Sequence, residues 1–257
     1  MTNAAIIIPT RLKASRLPNK PLVDINGKTL IHHVYNNVIA GHSPDDVYIA
    51  AGDREIIEEA ERIGAKSILT DPSLPSGTDR IAAALRQIDP KGTKYEIVVN
   101  FQGDGINVNP KINDNLIEVM KSTKADITTA TQKITSPDLI SNPAYVKIAI
   151  GMRESERVGR CVYFSRNVVP HDRDANGKAS SAYWHIGLYV YNADSLQRFV
   201  GYSEGVLERI EKLEQLRALE NGMSIFALLV DDIKLVPEAP ADVNTEEELI
   251  SARKYIF

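Results

Sequence analysis

The chain opens with an apolar run, "AAIIIP" at 4–9, that reads as a strand buried on both faces. In "TLIHHVYNNVIA" (29–40) the apolar positions Leu30, Ile31, Val34, Val38 and Ile39 fall on one helical stripe. "VYIAA" (47–51) predicts a strand, "REIIEEAERIG" (54–64) a helix closed by Gly64, and "KSILT" (66–70) a strand. "SGTDRIAAALRQI" (76–88) starts with a cap residue and continues as a helix. "EIVVNFQ" (96–102) is a further buried strand and "PKINDNLIEVMKS" (110–122) a helix. This alternation predicts an α/β fold, a mostly parallel sheet with helices on both faces. Ligands of such sheets bind beyond the carboxyl ends of the strands.

The rhythm changes after about residue 125. "DITTATQKI", "YVKIAI", "CVYFS" and "YWHIGLYVYN" read as strands with few helices between them. Helical patterns follow at 193–202 and, as one helix, at 207–222, then a strand at 223–230. The end, "TEEELISARKYIF", reads as a helix with Thr245 as its cap and acids in its first turn. "HDRDANGKASSA" (171–182) is a polar loop.

Composition narrows the classes. Charged residues make up 25%, hydrophobic residues 43%, and formal net charge is -4, so a generally basic nucleic-acid-binding surface is not expected. No apolar run approaches the roughly 20 residues that span a bilayer. The start lacks the pattern of a secretory signal, and the single Cys161 excludes an internal disulfide framework. A cytoplasmic protein without membrane or nucleic-acid partners is expected.

Against that acidity, "TRLKASRLPNKPL" (10–22) carries Arg11, Lys13, Arg16 and Lys20 with no acid. It follows the first strand directly, at the ligand edge of the sheet. Several cations on one loop suit a nucleoside triphosphate of about four negative charges, Arg as a bidentate grip and Lys as a point charge. Neither a Walker A loop nor a G-x-G-x-x-G turn occurs. A solvated basic loop would show the same charge pattern.

Spacing adds to charge. "IIIPTRLKASRLPNKPL" resembles the R-x(4)-R-L-P-x-K-P-L signature of sugar-activating nucleotidyltransferases, and more narrowly the 3-deoxy-manno-octulosonate (Kdo) cytidylyltransferase family. "INGKTLIHHVY", "PSGTDRIAAAL", "VVNFQGD", "CVYFSRNVVPHDRD", "WHIGLYVY" and "LERIEKLEQLRALENGMSI" resemble further family segments, in order and over nearly the whole chain. The resemblance implies one nucleotidyltransferase domain with a Rossmann-like sheet of the nucleotide-diphospho-sugar transferase type. Its nucleotide-binding half would span 1–125, a mixed β sugar-acid-binding and dimerisation lobe 126–222, and a C-terminal return to the sheet 223–257.

The activity implied is transfer of CMP from CTP to the anomeric hydroxyl of Kdo, releasing pyrophosphate, for lipopolysaccharide sugar activation by a homodimer. By resemblance, Arg11, Arg16 and Lys20 hold the triphosphate, and Ser76, Gly77 and Arg80 contact the cytidine part. Gln102 lies by nucleotide and sugar, and Arg11, Lys20 and Asp104 form the catalytic group. Asp104 and the residue at position 244 would ligate Mg²⁺, a hard cation that favours oxygen. In "HIGLYV", alternation places Ile186, Leu188 and Val190 on one face and His185, Gly187 and Tyr189 on the other. His185 and Tyr189 are expected at the sugar, with Arg166 on its carboxylate. Glu211, Glu214 and Gln215 can share one helix face, and Glu214 and Gln215 would bind sugar hydroxyls.

Two departures stand out. The family pattern Q-G-D-E-P reads "QGDGIN" here, so Gly105 and Ile106 replace an acid and a proline. The pattern V-D-T reads "VNT", so Asn244 replaces a metal-ligand Asp; Asp242 lies two residues earlier. An amide oxygen can ligate Mg²⁺ without contributing charge. These departures leave open a modified acceptor such as 8-amino-Kdo, or a nucleotide-binding paralogue with weak or no catalysis.

Overall fold

The computed structural model describes residues 3–13, 16–174, 179 and 181–257. In chain order the elements are β1 (Ala4–Thr10), β2 (Asp24–Ile25), β3 (Lys28–Thr29), α1 (Leu30–Ile39), β4 (Val47–Ala51), α2 (Arg54–Arg62), β5 (Lys66–Leu69), α3 (Gly77–Ile88), β6 (Ile97–Asn100) and α4 (Lys111–Thr123). They continue with β7 (Ile127–Ile134), α5 (Pro137–Ser141), β8 (Lys147–Gly151), β9 (Val158–Ser165), β10 (Ala182–Asn192), α6 (Ala193–Gly201), α7 (Val206–Glu211), α8 (Leu216–Glu220), β11 (Ile225–Leu229) and α9 (Glu246–Tyr255). Met1–Asp114 with Ile233–Phe257 forms one compact unit, and Asn115–Asp232 a second.

In the first unit the strands run β5-β4-β1-β6, all parallel. Ala5 to Thr10 and all of β4 and β6 are buried, which is why these strands read as unbroken apolar runs. The register aligns the ends of β1, β4 and β5, Thr10 pairing with Ala51 and Ala51 with Leu69, while β6 stops three residues short, its Asn100 beside Ile7. One edge therefore presents the residues that follow 10, 51, 69 and 100. The predicted caps hold. Ser76 Oγ accepts from the Asp79 N–H at the start of α3. Thr245 and Glu248 close a reciprocal capping box at α9.

In the second unit β7 is central, antiparallel to β10 and parallel to β11, which leads to β9 and β8. Two expectations are corrected here. First, 207–222 is not one helix. α7 ends at Glu211, Lys212 takes a left-handed conformation (φ 55°), and α8 restarts at Leu216. The cause is remote in sequence: the Arg166 guanidinium collects the Glu211 and Lys212 carbonyls that a continuing helix would have used. A bidentate Arg217–Glu208 pair then ties α8 to α7. Glu211, Glu214 and Gln215 thus do not share one helical face. Second, β10 does not alternate evenly. The register jumps between Ile186 and Tyr189, leaving Gly187 and Leu188 as a bulge. Thr129 Oγ1 lies within hydrogen-bond distance of both the Ile186 and Leu188 carbonyls that the bulge frees.

Candidate active site

The aligned strand ends place the basic stretch where the sequence predicted. Its path is fixed from the next strand end, where the Leu12 N–H donates to Asp53 Oδ2 at 2.7 Å. Sequence reasoning missed Asp53, because an acid before a helix looks like an ordinary cap. A cavity of about 210 Å³ opens beside it. That is several times the roughly 30 Å³ share of one water, so the space suits a ligand. Arg11, Lys13, Lys20 and Arg80 line it against one carboxylate, Asp104. A protein of net charge -4 has built a cationic cavity.

Ser76, Gly77 and Gln102 also line the cavity. The Ser76 hydroxyl is engaged with Asp79, donating to its Oδ2 at 2.6 Å. Gln102 Nε2 donates to Asn100 Oδ1. Arg16 is exposed and is not part of the lining; it follows residues 14–15, which lie outside the described residues.

Arg80 is the most informative wall. It is 2% exposed, and its Nη1 donates to Thr70 Oγ1 and the Asp71 carbonyl. Its Nη2 is buried without a hydrogen-bond partner. Burial first, and the neighbouring Arg11 charge second, push its pKa down. A guanidinium stays protonated regardless, so the donor stands ready for an acceptor. The backbone yields to it at Gly52, where a Cβ would lie 2.9 Å from Nη1.

At the mouth of the cavity, Lys20 Nζ donates to Asp104 Oδ2 at 2.6 Å and to Asn244 Oδ1 at 2.7 Å. Segments 84 and 224 positions away thus converge on one ammonium. Asn244 is held from behind by the α9 cap, its N–H donating to Glu248 Oε2 at 2.6 Å. Asp242 is open at its surface, yet the site walls crowd it. Desolvation, then the charges of Asp104 and Glu248, push its carboxyl up to about 6. Two oxygens converging on one cation are the donor type that Mg²⁺ prefers, and Mg²⁺ commonly uses one or two carboxylates completed by phosphates and waters. The residues therefore fit the ion. Among the described residues no cluster of three or more His, Cys, Asp or Glu forms an alternative metal site.

The second unit gathers His185, Tyr189, Glu214 and Gln215. The β10 bulge brings the His185 and Tyr189 rings to 5.3 Å, far closer than four residues of regular strand allow. His185 Nε2 meets Thr129 Oγ1 at 3.1 Å and Nδ1 meets Gln215 Nε2 at 3.5 Å. Burial pushes the imidazole down to about 3, so it is neutral at pH 7. Burial, then Tyr191 and Glu214, holds the Tyr189 phenol well above its usual range.

Arg166 departs from expectation in its partners: Nε, Nη1 and Nη2 donate to the Glu211, Pro143 and Lys212 carbonyls. Glu211 accepts from Ser165 Oγ and the Arg166 N–H. Lys147, fully buried, donates to the Asn142 and Arg166 carbonyls. Nothing in "YVKIAI" marks it as an interior cation.

His185 gives a pH prediction. Its folded value lies below the unfolded 6.5, so the unfolded chain binds the extra proton. The neutral imidazole's contribution is full above about 6.5 and is lost as pH falls toward 3. His185→Gln is expected to flatten the fall in urea midpoint between neutral pH and the acid side. Identical slopes in variant and wild type would exclude this role for His185.

Comparisons with known proteins bear on the family and the fold. Residues 5–225 match the family model described as cytidylyltransferase. A 3-deoxy-manno-octulosonate cytidylyltransferase of Paramagnetospirillum magneticum is 43% identical over 96% of this chain and 97% of its own length. One of Thermodesulfovibrio yellowstonii is 36% identical over 95% of this chain and 97% of its own. Among solved structures, CMP:2-keto-3-deoxy-manno-octonic acid synthetase complexed with CTP aligns with TM-score 0.84 and 32% identity, covering 98% of this chain and 97% of that one. The predicted α/β nucleotide-diphospho-sugar transferase fold is thereby established. The chain belongs to the 3-deoxy-manno-octulosonate cytidylyltransferase family.

Proposed function

We propose that this protein transfers CMP from CTP to the anomeric hydroxyl of 3-deoxy-manno-octulosonate and releases pyrophosphate. The observation that carries the reading is the cavity's charge: four cationic side chains against one carboxylate, including a buried guanidinium with an unpartnered donor. The sugar hydroxyl forms a bond to the α-phosphorus as the bond from that phosphorus to the pyrophosphate oxygen breaks. Such transfers depend on positioning and charge neutralisation more than on covalent help.

In this reading Arg11 and Lys20 hold the triphosphate from the cavity wall, and Arg16 does so from the exposed part of the same loop. Arg80 Nη2 donates to the cytidine part, beside Ser76 and the first turn of α3, where backbone N–H groups favour acceptors. Gln102 orients nucleotide and sugar. Asp104 and Asn244 would hold Mg²⁺, which when bound supplies positive charge against the phosphates. Lys20, released from that pair, neutralises phosphate oxygens.

His185, Tyr189, Glu214 and Gln215 bind the sugar acid as neutral and acceptor groups. Arg166 orders α7 and faces the carboxylate with its remaining donor capacity. The family relationship further supports a cytoplasmic homodimer that activates a sugar for lipopolysaccharide. Among the described residues no helix is long and apolar enough to cross a membrane. Identity over the full length favours this acceptor over a modified relative or a catalytically weak paralogue.

The direct test is pyrophosphate release with CTP and Mg²⁺, with Kdo and 8-amino-Kdo as alternative acceptors. Release with Kdo, accompanied by a CMP-sugar mass, is expected; turnover confined to the amino sugar, or none at all, refutes the assignment. Asn244 adds a second expectation. Asn244→Asp should lower the Mg²⁺ concentration giving half-maximal rate, by roughly tenfold for one added charge at contact distance. An unmoved metal requirement would remove position 244 from the metal's ligands.

A further inference from the structure

The loop after β6 reads "QGDGIN", with a glycine and no proline at its turn, yet it is tightly held. Gly105, Ile106 and Asn107 are buried. A Cβ at Gly105 would crowd the Gln102 carbonyl and Val108 at 3.3 Å, so the close turn favours glycine. Asn107 is 1% exposed. A buried amide must find partners, and those of Asn107 all lie in one segment. Its Nδ2 donates to the Val236 carbonyl at 2.7 Å and the Ala239 carbonyl at 3.2 Å. Its Oδ1 accepts from the Val236 N–H at 2.8 Å. Its backbone N–H donates to the Ala241 carbonyl, and its carbonyl accepts from Leu235.

That segment runs on to Val243, whose N–H donates to the Asp104 carbonyl, and then to Asn244. The chain around Asp104 and the chain leading to Asn244 are thus laced together, with the Asn107 side chain in the seam.

We propose that Asn107 is a positioning residue: it sets the spacing of Asp104 Oδ2 and Asn244 Oδ1, and through it the affinity of that pair for a divalent cation. The inference rests on the reading of the pair given above. Asn107 touches neither nucleotide nor metal in this account. It acts as an outer support, restraining the loop by hydrogen bonds.

The test uses the full chain, Mn²⁺ as a paramagnetic probe, and a CTP analogue with a non-cleavable α,β-methylene bridge. Asn107→Leu keeps volume but strips the partner from the Val236 N–H; Asn107→Asp keeps shape but sets a carboxylate oxygen against two carbonyls. Mn²⁺ affinity in the presence of the analogue should fall about 10- to 100-fold in both, as for other outer supports of metal ligands. Analogue binding in EDTA should change less than about twofold, since the cavity cations are untouched. Mn²⁺ affinity equal to wild type in a folded variant overturns the proposal. So does a parallel loss of metal-free nucleotide binding, which would mark a purely structural residue. Should neither variant fold, Asn107 serves folding first and the positioning claim fails. If wild type binds no Mn²⁺ with the analogue present, the reading of Asp104 and Asn244 fails, and this inference with it.

Discussion

Asp104→Asn is expected to lower kcat by about 10²–10³, equivalent to roughly 3–4 kcal/mol of transition-state stabilisation, while the protein stays folded. The two halves of this expectation rest on different atoms of one residue. The fold uses the Asp104 carbonyl, which accepts from the Ile106 and Val243 N–H groups and survives the substitution. The proposed chemistry calls on the carboxylate, whose Oδ2 lies 2.6 Å from Lys20 Nζ. That pair is partly solvated, so its loss should cost about 0–1 kcal/mol of stability. The predicted loss in rate therefore far exceeds the predicted loss in stability. Steady-state kinetics beside thermal unfolding checks both. Near-normal kcat would remove Asp104 from the mechanism, and a large drop in unfolding midpoint would recast it as structural.

Arg80→Met should move binding and stability in different directions. Methionine fills much of the volume without bringing a charge into the interior. The substitution removes a buried cation whose side-chain hydrogen bonds go to a hydroxyl and a carbonyl, with Asp53 and Asp71 supplying only lesser attraction, and one donor without a hydrogen-bond partner. Thr70 Oγ1 keeps its bond to the Ala51 carbonyl, so little is orphaned. The unfolding midpoint is expected to hold or rise. A hydrogen bond from a charged donor contributes about 1.5–3 kcal/mol, so the Michaelis constant for CTP should rise roughly 10- to 150-fold. If the variant instead unfolds early while binding CTP normally, Arg80 is a core residue and not a ligand contact.

Much of this was visible in the chain itself, and the reasons are physical. β1, β4 and β6 are buried on both faces, so their apolar runs are continuous. The caps Ser76 and Thr245 act on residues three positions away, within reach of local reading. The basic stretch stood out because a strand end places whatever follows it at the ligand edge. What escaped depends on distant partners. The break at Lys212 has no local marker; it is enforced by Arg166, whose Nη2 bonds across 46 positions. The β10 bulge hides in "HIGLYV", where alternation persists in the letters while Thr129 gathers the carbonyls. Asp53, Lys147 and Asn107 look ordinary in sequence, and only tertiary contacts give them work. The sequence placed Arg166 at the sugar carboxylate; in the fold its guanidinium donates to three backbone carbonyls.

The departure at Asn244 also gains a physical setting. An amide there accepts one hydrogen bond from Lys20 as an aspartate would, but leaves the site one negative charge poorer. The same neighbourhood already raises Asp242 by crowding and by the charges of Asp104 and Glu248. A further carboxylate would add to that repulsion until a cation arrived. If position 244 is a ligand as proposed, Asn244 lowers cation affinity and lowers repulsion among these carboxylates together.

The most direct measurement is a crystal structure with CTP and Mg²⁺. The account predicts the triphosphate against Arg11 and Lys20, Arg80 Nη2 donating to the cytidine part, and the metal on Asp104. A nucleotide seated elsewhere, with Lys20 still locked between Asp104 and Asn244, would contradict it.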